Sequence, residues 1–120
     1  MTLRTVGKLW KNSNVLTLNS KPMIPLLTAT ILTASWYGPG FHGNLTANGT
    51  RYNQHASTAA HKTLPFGTDL RVCYETCETV TITDRGPFIE GRDLDLSYGT
   101  AERIGMASAG VADVEVTRLN

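Results

Sequence analysis

The first half of this 120-residue chain contains no acidic residue. All ten aspartates and glutamates lie between Asp69 and Glu115, whereas the three histidines, His42, His55 and His61, precede them. Any reaction that needs a carboxyl group must therefore take it from the second half of the chain. The formal net charge is only +1, so the chain has no excess of basic residues and we expect no nucleic-acid partner.

Cysteine is scarce, because the chain contains only Cys73 and Cys77. The segments on either side of this pair read as strands, so the two thiols could face each other across a three-residue hairpin loop. A disulfide there would indicate an oxidising compartment, and two reduced thiols in a turn are the alternative. A lone CxxxC lacks the second ligand pair of a zinc site, and no phosphate-binding glycine loop occurs. We therefore expect neither a metal nor another cofactor.

The sequence also lacks an apolar run that would span a bilayer comfortably. The run from Met23 to Ala34 is short and is interrupted by threonine and proline. It is preceded by four basic residues, Arg4, Lys8, Lys11 and Lys21. Basic residues, a short apolar run and then small residues are the layout of a signal peptide, with a disordered tail as the alternative for residues 1–33. No cysteine follows the run, so we expect no lipid anchor at that point.

After Ala34 the apolar residues mostly alternate with polar ones, which indicates strands. The alternation places Leu94 and Leu96 on one face of a strand and Asp93 and Asp95 on the other. In the same way it predicts the inward pairs of three further strands, Leu70 with Val72, Val80 with Ile82, and Val114 with Val116. Ser97 is suited to cap a helix of about two turns, which we expect to stop at Gly105. About six short strands, one short helix and many turn residues predict that residues 34–120 form a small closed β-barrel. We expect this domain to be a monomer.

Five sequence blocks follow one another in the order and spacing of a known family. They are ASWYGPGFHGNLTANGTRYN, TAAHKTLPFGTDLRV, TDRGPF, GRDLDLS and AERIGMASAGVADVEV. From Ala34 to about Leu119 the chain resembles the RlpA-like (rare lipoprotein A) domain. The resemblance implies an all-β fold with small α content, a six-stranded double-psi β-barrel related to expansins and barwin. It also implies an exported protein of the periplasm or cell wall that acts on the glycan strands of peptidoglycan.

The reaction that the resemblance implies is lytic transglycosylation between N-acetylmuramic acid and N-acetylglucosamine. An acid protonates the glycosidic oxygen, and the muramic 6-hydroxyl attacks its own anomeric carbon to give a 1,6-anhydro end. One carboxyl group can act first as the acid and then as the base, because the nucleophile belongs to the substrate. Ordinary glycosidases, in contrast, usually need two carboxylates.

The resemblance implies three catalytic candidates. Asp84 in TDRGPF is the proposed acid and base, His61 in TAAHKTLP assists it, and Asp95 is a second acid at the position of an expansin aspartate. Each has a structural alternative. Asp84 could form a turn with Arg85, His61 could cap a loop, and Asp95 could be a solvated strand residue.

The chain departs from the pattern of active members at two positions. Thr50 and Asn53 stand where those members usually carry acids, and neither side chain exchanges a proton usefully near neutral pH. This departure favours the alternative function, a non-catalytic glycan-binding module like an expansin. A barwin-like defence or inhibitor barrel is less favoured, because only one cysteine pair is present.

Aromatic side chains flank the same loops, and sugar rings stack on aromatic faces. The expected substrate-binding residues are Tyr37, His42, Tyr52, Asn53, Arg85 and Phe88. Trp36 is expected to belong to the core.

Overall fold

The computed structural model describes residues 28–120. Its strands are β1 (Ala29–Tyr37), β2 (Thr58–His61), β3 (Asp69–Cys73), β4 (Cys77–Asp84), β5 (Leu94–Ser97) and β6 (Ala112–Arg118). The helix α1 (Tyr98–Ile104) follows β5 directly, and two 3₁₀ turns span Pro39–Phe41 and Ala107–Ala109. The strands close into a barrel in the order β1-β5-β2-β4-β3-β6. The predicted six-stranded barrel with one short helix is therefore confirmed.

Two of the six strand pairs are parallel, β1 with β5 and β2 with β4. The other four pairs are antiparallel. Closure gives every strand a hydrogen-bonded neighbour on each side, so the barrel has no terminal edge strand. In the part of the chain that the structure describes, no helix is long and apolar enough to cross a membrane.

The barrel interior is filled by the apolar side chains that alternate along the strands. The fully buried members of this core include Leu70, Val72, Val80, Ile82, Leu94, Leu96 and Val114. Ile104 of α1 and the following Met106 close one side of the core. The alternation read from the sequence therefore assigns the buried faces of β3, β4, β5 and β6 correctly. Trp36 is partly buried, packs against this core and donates its indole N–H to the carbonyl of Ala107 at 3.0 Å.

Strand β1 begins earlier than the sequence predicts. The segment TASWYG, closed by a Gly-Pro-Gly turn, predicts a short strand from Thr33, whereas β1 begins at Ala29 and pairs with β6 from Ala29↔Thr117 to Ala34↔Ala112. Residues 29–33, expected to precede the domain, are thus part of the barrel. Residues 1–27, with the basic residues of the predicted signal peptide, lie outside the described residues. Signal-peptide cleavage stays a prediction.

Helix α1 is bounded as its sequence predicts. The Ser97 hydroxyl accepts a hydrogen bond from the backbone N–H of Thr100 at the N-terminus, and Gly105, at φ 93°, ends the helix. A left-handed φ of this kind favours glycine, which has no Cβ to clash with the backbone. Glu78 of β4 ties the helix to the barrel, since it accepts hydrogen bonds from Thr100 Oγ1 at 2.9 Å and Arg103 Nε at 2.8 Å.

The cysteine pair closes the hairpin between β3 and β4. Cys73 and Cys77 are directly opposed in the antiparallel register and form a disulfide with an S–S distance of 2.07 Å. The predicted disulfide is confirmed.

Candidate active site

Four residues on four neighbouring strands form a row on the outer face of the barrel. Ser35 of β1 pairs with Asp95 of β5, Asp95 pairs with Ala60 of β2, and Ala60 pairs with Asp84 of β4. Directly opposed residues of neighbouring strands point to the same face. The small Ala60 side chain therefore lies between two carboxyl groups, whose Cα atoms are roughly 10 Å apart at two strand spacings.

An irregularity in β4 gives Asp84 its place in this row. Alternation from the buried Val80 and Ile82 would turn Asp84 toward the core. The register between β2 and β4 instead shifts by one residue, so that Ala59 pairs with Ile82 but Ala60 pairs with Asp84. Thr83 is the extra residue, and a bulge of this kind re-aims the side chain that follows it.

The row forms part of a groove of about 440 Å³. All four row residues line it, together with Tyr37, Tyr52, Arg85 and Arg92. Four exposed apolar side chains belong to its walls, Phe41, Leu45, Phe88 and Ile89. Phe88 is 80% exposed, although such a ring would normally be buried. The groove thus combines carboxyl groups in the row with apolar walls.

Asp95 is partly buried in the groove. Its Oδ1 accepts a hydrogen bond from Ser35 Oγ at 3.0 Å. Burial raises the pKa of Asp95 above its ordinary value, and the nearby Asp84 raises it further, while the Ser35 hydrogen bond and Arg92 oppose the shift. A carboxyl group in this setting holds its proton to a higher pH than a solvated one and is suited to act as an acid.

Asp84 is held by backbone donors. Its Oδ1 accepts hydrogen bonds from the N–H of Ala47 at 2.8 Å and from the N–H of Arg85 at 2.9 Å. The first bond attaches the loop before β2 to the end of β4, and the N–H of Asn48 strengthens this attachment by donating to the carbonyl of Thr83 at 3.1 Å. Asp84 is thus fixed in orientation at the groove.

The His61 side chain lies outside the groove that Asp84 lines. His61 follows Ala60 in β2, so its side chain leaves the opposite face of the strand. Its Nδ1 accepts hydrogen bonds from the N–H of Thr63 and of Leu64, both at 3.1 Å. Among the described residues no hydrogen bond links the imidazole to the Asp84 carboxylate.

The environment of His61 favours the neutral form of its ring. Burial lowers the pKa of His61 and the charges of Lys62 and Arg85 lower it further, against the opposing influence of Asp93. A neutral ring with an accepting Nδ1 carries its proton on Nε2. The geometry therefore matches the loop-capping alternative for His61.

Arg85 lines the groove, but its guanidinium also holds the loop that His61 caps. Its Nη1 donates to the carbonyl of Leu64 at 2.8 Å and to the carbonyl of His61 at 3.3 Å. The guanidinium lies 4.0 Å from the centroid of the Phe66 ring, a cation–π contact. No ion pair between Arg85 and Asp84 occurs in residues 28–120, where the salt bridge found joins Arg103 to Glu78.

Tyr37 and Tyr52 form a stacked pair in the groove, with ring centroids 4.4 Å apart. The Tyr52 hydroxyl donates to the carbonyl of Tyr37 at 2.7 Å and accepts from the N–H of Tyr98 at 3.2 Å. Phe41 meets the Tyr37 ring edge-on at 6.0 Å. Tyr37, Tyr52 and Phe88, three of the predicted substrate-binding residues, thus all line the groove.

Two other predicted residues, His42 and Asn53, lie outside the groove lining, and so does Thr50, which replaces an acid of the active family members. His42 is exposed, and its Nδ1 accepts a hydrogen bond from the N–H of Gln54 at 3.2 Å. Asn53 is exposed and caps its own turn by accepting from the N–H of His55 at 2.9 Å. The Thr50 hydroxyl donates to Asn48 Oδ1 at 2.7 Å within the same loop.

The structure adds Ser35 and Arg92 to the residues that the sequence singles out. Both affect Asp95 directly, Ser35 by a hydrogen bond and Arg92 by its charge. Strand alternation could have revealed Ser35, once the pairing of β1 with β5 was known. Within residues 28–120 no group of three or more potential metal ligands is placed to hold an ion.

Comparison with known proteins identifies close relatives. A family model described as lytic transglycolase matches residues 29–116. The probable endolytic peptidoglycan transglycosylase RlpA of Synechocystis is 58% identical over 84 residues, which cover 68% of this chain and 26% of that protein. The endolytic peptidoglycan transglycosylase RlpA of Campylobacter jejuni is 49% identical over 107 residues, 83% of this chain and 39% of that protein. The chain thus spans well under half the length of these relatives.

Solved structures share the fold at lower identity. The Streptomyces papain inhibitor superposes with a TM-score of 0.63 at 19% identity, over 81% of this chain and 99% of that chain. The expansin of Clavibacter michiganensis gives a TM-score of 0.62 at 21% identity, over 78% of this chain and 51% of that chain. These matches concern the fold alone, and they confirm the predicted double-psi β-barrel.

Proposed function

The chain belongs to the double-psi β-barrel family of lytic transglycosylases, and from that premise we propose that it cleaves peptidoglycan glycan strands endolytically, leaving 1,6-anhydro ends. The observation that carries this proposal is the row in which Asp95 and Asp84 flank Ala60. The row places both carboxyl groups in one groove whose apolar walls suit the faces of sugar rings.

From the sequence, Asp84 is the expected acid and base and Asp95 a second acid; here these roles are exchanged. Asp95 is the proposed acid, because its pKa is raised and it faces the groove. Its proton passes to the glycosidic oxygen as the bond from that oxygen to the anomeric carbon of the muramic residue breaks. The 6-hydroxyl of the same residue then attacks the anomeric carbon and gives its proton back to the Asp95 carboxylate. The carboxyl group ends as it began, and no water is consumed. The bound geometry holds the 6-hydroxyl close to the carbon that it attacks.

Asp84 is the proposed second carboxyl group of the reaction. Its carboxylate is fixed by two backbone N–H groups and lies across Ala60 from Asp95. From there a negative charge stabilises the positive charge that develops on the sugar ring in the transition state. Tyr37, Tyr52, Phe88 and Arg85 are proposed to contact the strand from the groove walls.

The proposal is tested by incubating the protein with purified glycan strands and analysing the products by mass spectrometry. We expect shortened strands that carry 1,6-anhydro ends. Products with ordinary reducing ends would instead indicate hydrolysis and would exclude a lytic transglycosylase.

A non-catalytic glycan-binding function is the second candidate. Thr50 and Asn53 supply no carboxyl group, and both lie outside the groove lining. Retention on sacculi without any new strand ends would support this candidate. A gain of cleavage in the double variant Thr50→Glu, Asn53→Asp would show that Asp84 and Asp95 alone are insufficient.

Export to the periplasm or cell wall is part of the proposal. Peptidoglycan lies outside the cytoplasm, and the Cys73–Cys77 disulfide suits an oxidising compartment. The N-terminal segment is the proposed signal, and because residues 29–33 belong to β1, we place its cleavage before Ala29. The N-terminal residue of the secreted product tests this. A monomer is proposed because the closed barrel has no terminal edge strand that could pair with a second chain. That no lipid is attached stays a prediction.

A further inference from the structure

The Tyr37 hydroxyl has no hydrogen-bond partner although it is buried. Within residues 28–120 only two buried side-chain polar atoms lack a partner, this hydroxyl and Thr58 Oγ1, and only Tyr37 lines the groove. The stacked neighbour Tyr52 differs, because its hydroxyl both donates and accepts a hydrogen bond. The Tyr52 hydroxyl is thus satisfied by hydrogen bonds within the fold, whereas the Tyr37 hydroxyl is not.

The packing of Tyr37 requires an aromatic ring at this position, but it does not require a hydroxyl on that ring. The stacking on Tyr52 and the edge contact with Phe41 need only an aromatic ring, which phenylalanine also supplies. A buried hydroxyl without a partner destabilises the fold, and such a group in a groove calls for a partner from outside the chain.

The position of Tyr37 brings this hydroxyl near the carboxyl pair. Tyr37 pairs with Ser97 and lies two residues beyond Ser35, so both side chains leave the same face of β1. Asp95 is thus its diagonal neighbour on the next strand. Burial raises the pKa of Tyr37 above its ordinary value, and Asp84 raises it further. The phenol therefore remains protonated and is a hydrogen-bond donor at any working pH.

We infer that the Tyr37 hydroxyl donates a hydrogen bond to the carbonyl oxygen of a 2-acetamido group on the bound glycan and thereby selects N-acetylated strands. This inference rests on the proposed function. The carboxylates of the groove accept hydrogen bonds, so sugar hydroxyls have acceptors there, whereas an acetamido carbonyl needs a donor. C2 adjoins the anomeric carbon, so its acetamido group lies beside the bond that is cleaved.

Phe41 completes the site for an acetamido group. Its ring is 53% exposed and lies edge-on to Tyr37 at 6.0 Å, which offers apolar surface to the acetamido methyl. The hydroxyl oxygen is covered in the structure, so its hydrogen bond to the glycan requires a neighbouring side chain to rotate.

The test compares two glycans and two proteins in a thermodynamic cycle. The probes are peptide-free glycan strands and the same strands after chemical de-N-acetylation. Affinities are measured by calorimetry with Asp95→Asn protein, which is not expected to cleave the strands, with and without Tyr37→Phe. We expect Tyr37→Phe to weaken binding of the N-acetylated strands about fivefold and to leave binding of the de-N-acetylated strands unchanged.

Tyr52→Phe is the matched control, because it removes a hydroxyl from the same stack. It should lower the melting temperature and leave the preference for N-acetylated strands intact, whereas Tyr37→Phe should leave the melting temperature unchanged or higher. Equal weakening on both glycans, no weakening on either, or no binding at all would overturn the inference. A protein that binds in this acetamido-dependent manner but forms no anhydro ends would refute the proposed function and leave the inference standing.

Discussion

Asp84 and Asp95 face one groove from the two strands that flank β2, because each is the backbone partner of Ala60. The two carboxyl groups differ in their hydrogen-bond donors. Asp95 accepts a hydrogen bond from the Ser35 hydroxyl, and Asp84 accepts two from backbone N–H groups. Two carboxyl groups in unlike environments can divide the roles of acid and charge stabiliser.

Removal of the Ser35 hydroxyl should shift the pH profile of cleavage. The Ser35 hydrogen bond lowers the pKa of Asp95, against the larger upward influence of burial. Ser35→Ala should therefore raise this pKa further, and an acid that must be protonated should then stay active to higher pH. We expect the alkaline limb of the rate profile to move upward, and Ser35→Thr, which retains a hydroxyl, to restore it. A limb that is unmoved or moves to lower pH would exclude Asp95 as the acid.

Asp95→Asn should stabilise the fold at neutral pH. Because folding raises the pKa of Asp95, the native state binds more protons than the unfolded state between the two pKa values, and its stability falls as pH rises through the folded pKa. Asparagine removes the buried charge and can still accept from Ser35. We expect a higher melting temperature than wild type at pH 7 and no difference at pH 3, where Asp95 is largely protonated in either state. The exposed Asp113→Asn serves as the control, and a lower melting temperature for Asp95→Asn at pH 7 would contradict this account.

His61→Asn should retain most of the activity. The asparagine Oδ1 can accept the N–H bonds of Thr63 and Leu64 that His61 Nδ1 now accepts. A general acid or base contributes a factor of about 10²–10⁴ to the rate, so a direct catalytic role would show as a loss of at least a hundredfold. We expect a much smaller loss for His61→Asn and a larger one for His61→Ala, measured as initial rates of anhydro-end formation. Equal and large losses of activity in both variants would indicate that His61 takes part directly in the reaction.

Acid should also weaken the loop that His61 caps. The pKa of His61 is lowered in the fold, so its contribution to stability is complete above the unfolded value of about 6.5. That contribution is lost as pH falls through the folded pKa and Nδ1 becomes protonated. Amide hydrogen exchange at Thr63 and Leu64, corrected for its intrinsic pH dependence, should accelerate in this range. Protection that is unchanged down to pH 4 would show that the cap does not depend on the neutral ring.

Glu78 should account for part of the acid sensitivity of the fold. Hydrogen bonds from Arg103, and further ones from Ser57 and Thr100, lower the pKa of Glu78 to about 2. Its stabilising contribution is therefore complete above the unfolded pKa and is lost as pH falls through about 2. Glu78→Gln should lower the free energy of unfolding by about 1 kcal/mol at pH 7, since solvent screens a pair near the surface. The exposed Glu90→Gln should have no effect, and a penalty for Glu78→Gln that persists undiminished at pH 2 would contradict the prediction.

The fold could be predicted from the sequence because local signals agree with it. Alternation identifies the buried faces of β3 to β6, Ser97 and Gly105 bound the helix, and the family resemblance supplies the topology. The start of β1 was predicted too late, because Ala29 to Leu32 read as the end of an apolar leader. Pairing with β6, which no local pattern reveals, makes these residues a strand.

The site could be predicted only in part. The outward orientation of Asp95 follows from alternation with Leu94 and Leu96. The orientation of Asp84, in contrast, depends on the register shift at Thr83. The family resemblance implies that His61 assists Asp84. In the structure, β2 instead turns the imidazole away from the groove. Such orientations depend on strand register, which a single sequence does not fix.

The proposed function depends most directly on Asp95 as the acid of an anhydro-forming cleavage. The decisive measurement is the rate at which 1,6-anhydro ends appear on purified, peptide-free glycan strands, quantified by mass spectrometry for wild type, Asp95→Asn and the control Asp113→Asn. We predict that wild type and Asp113→Asn form these ends at similar rates and that Asp95→Asn is at least about a hundredfold slower while it still binds the strands. Anhydro ends formed by Asp95→Asn at the wild-type rate, or binding by wild type without any new ends, would contradict the account.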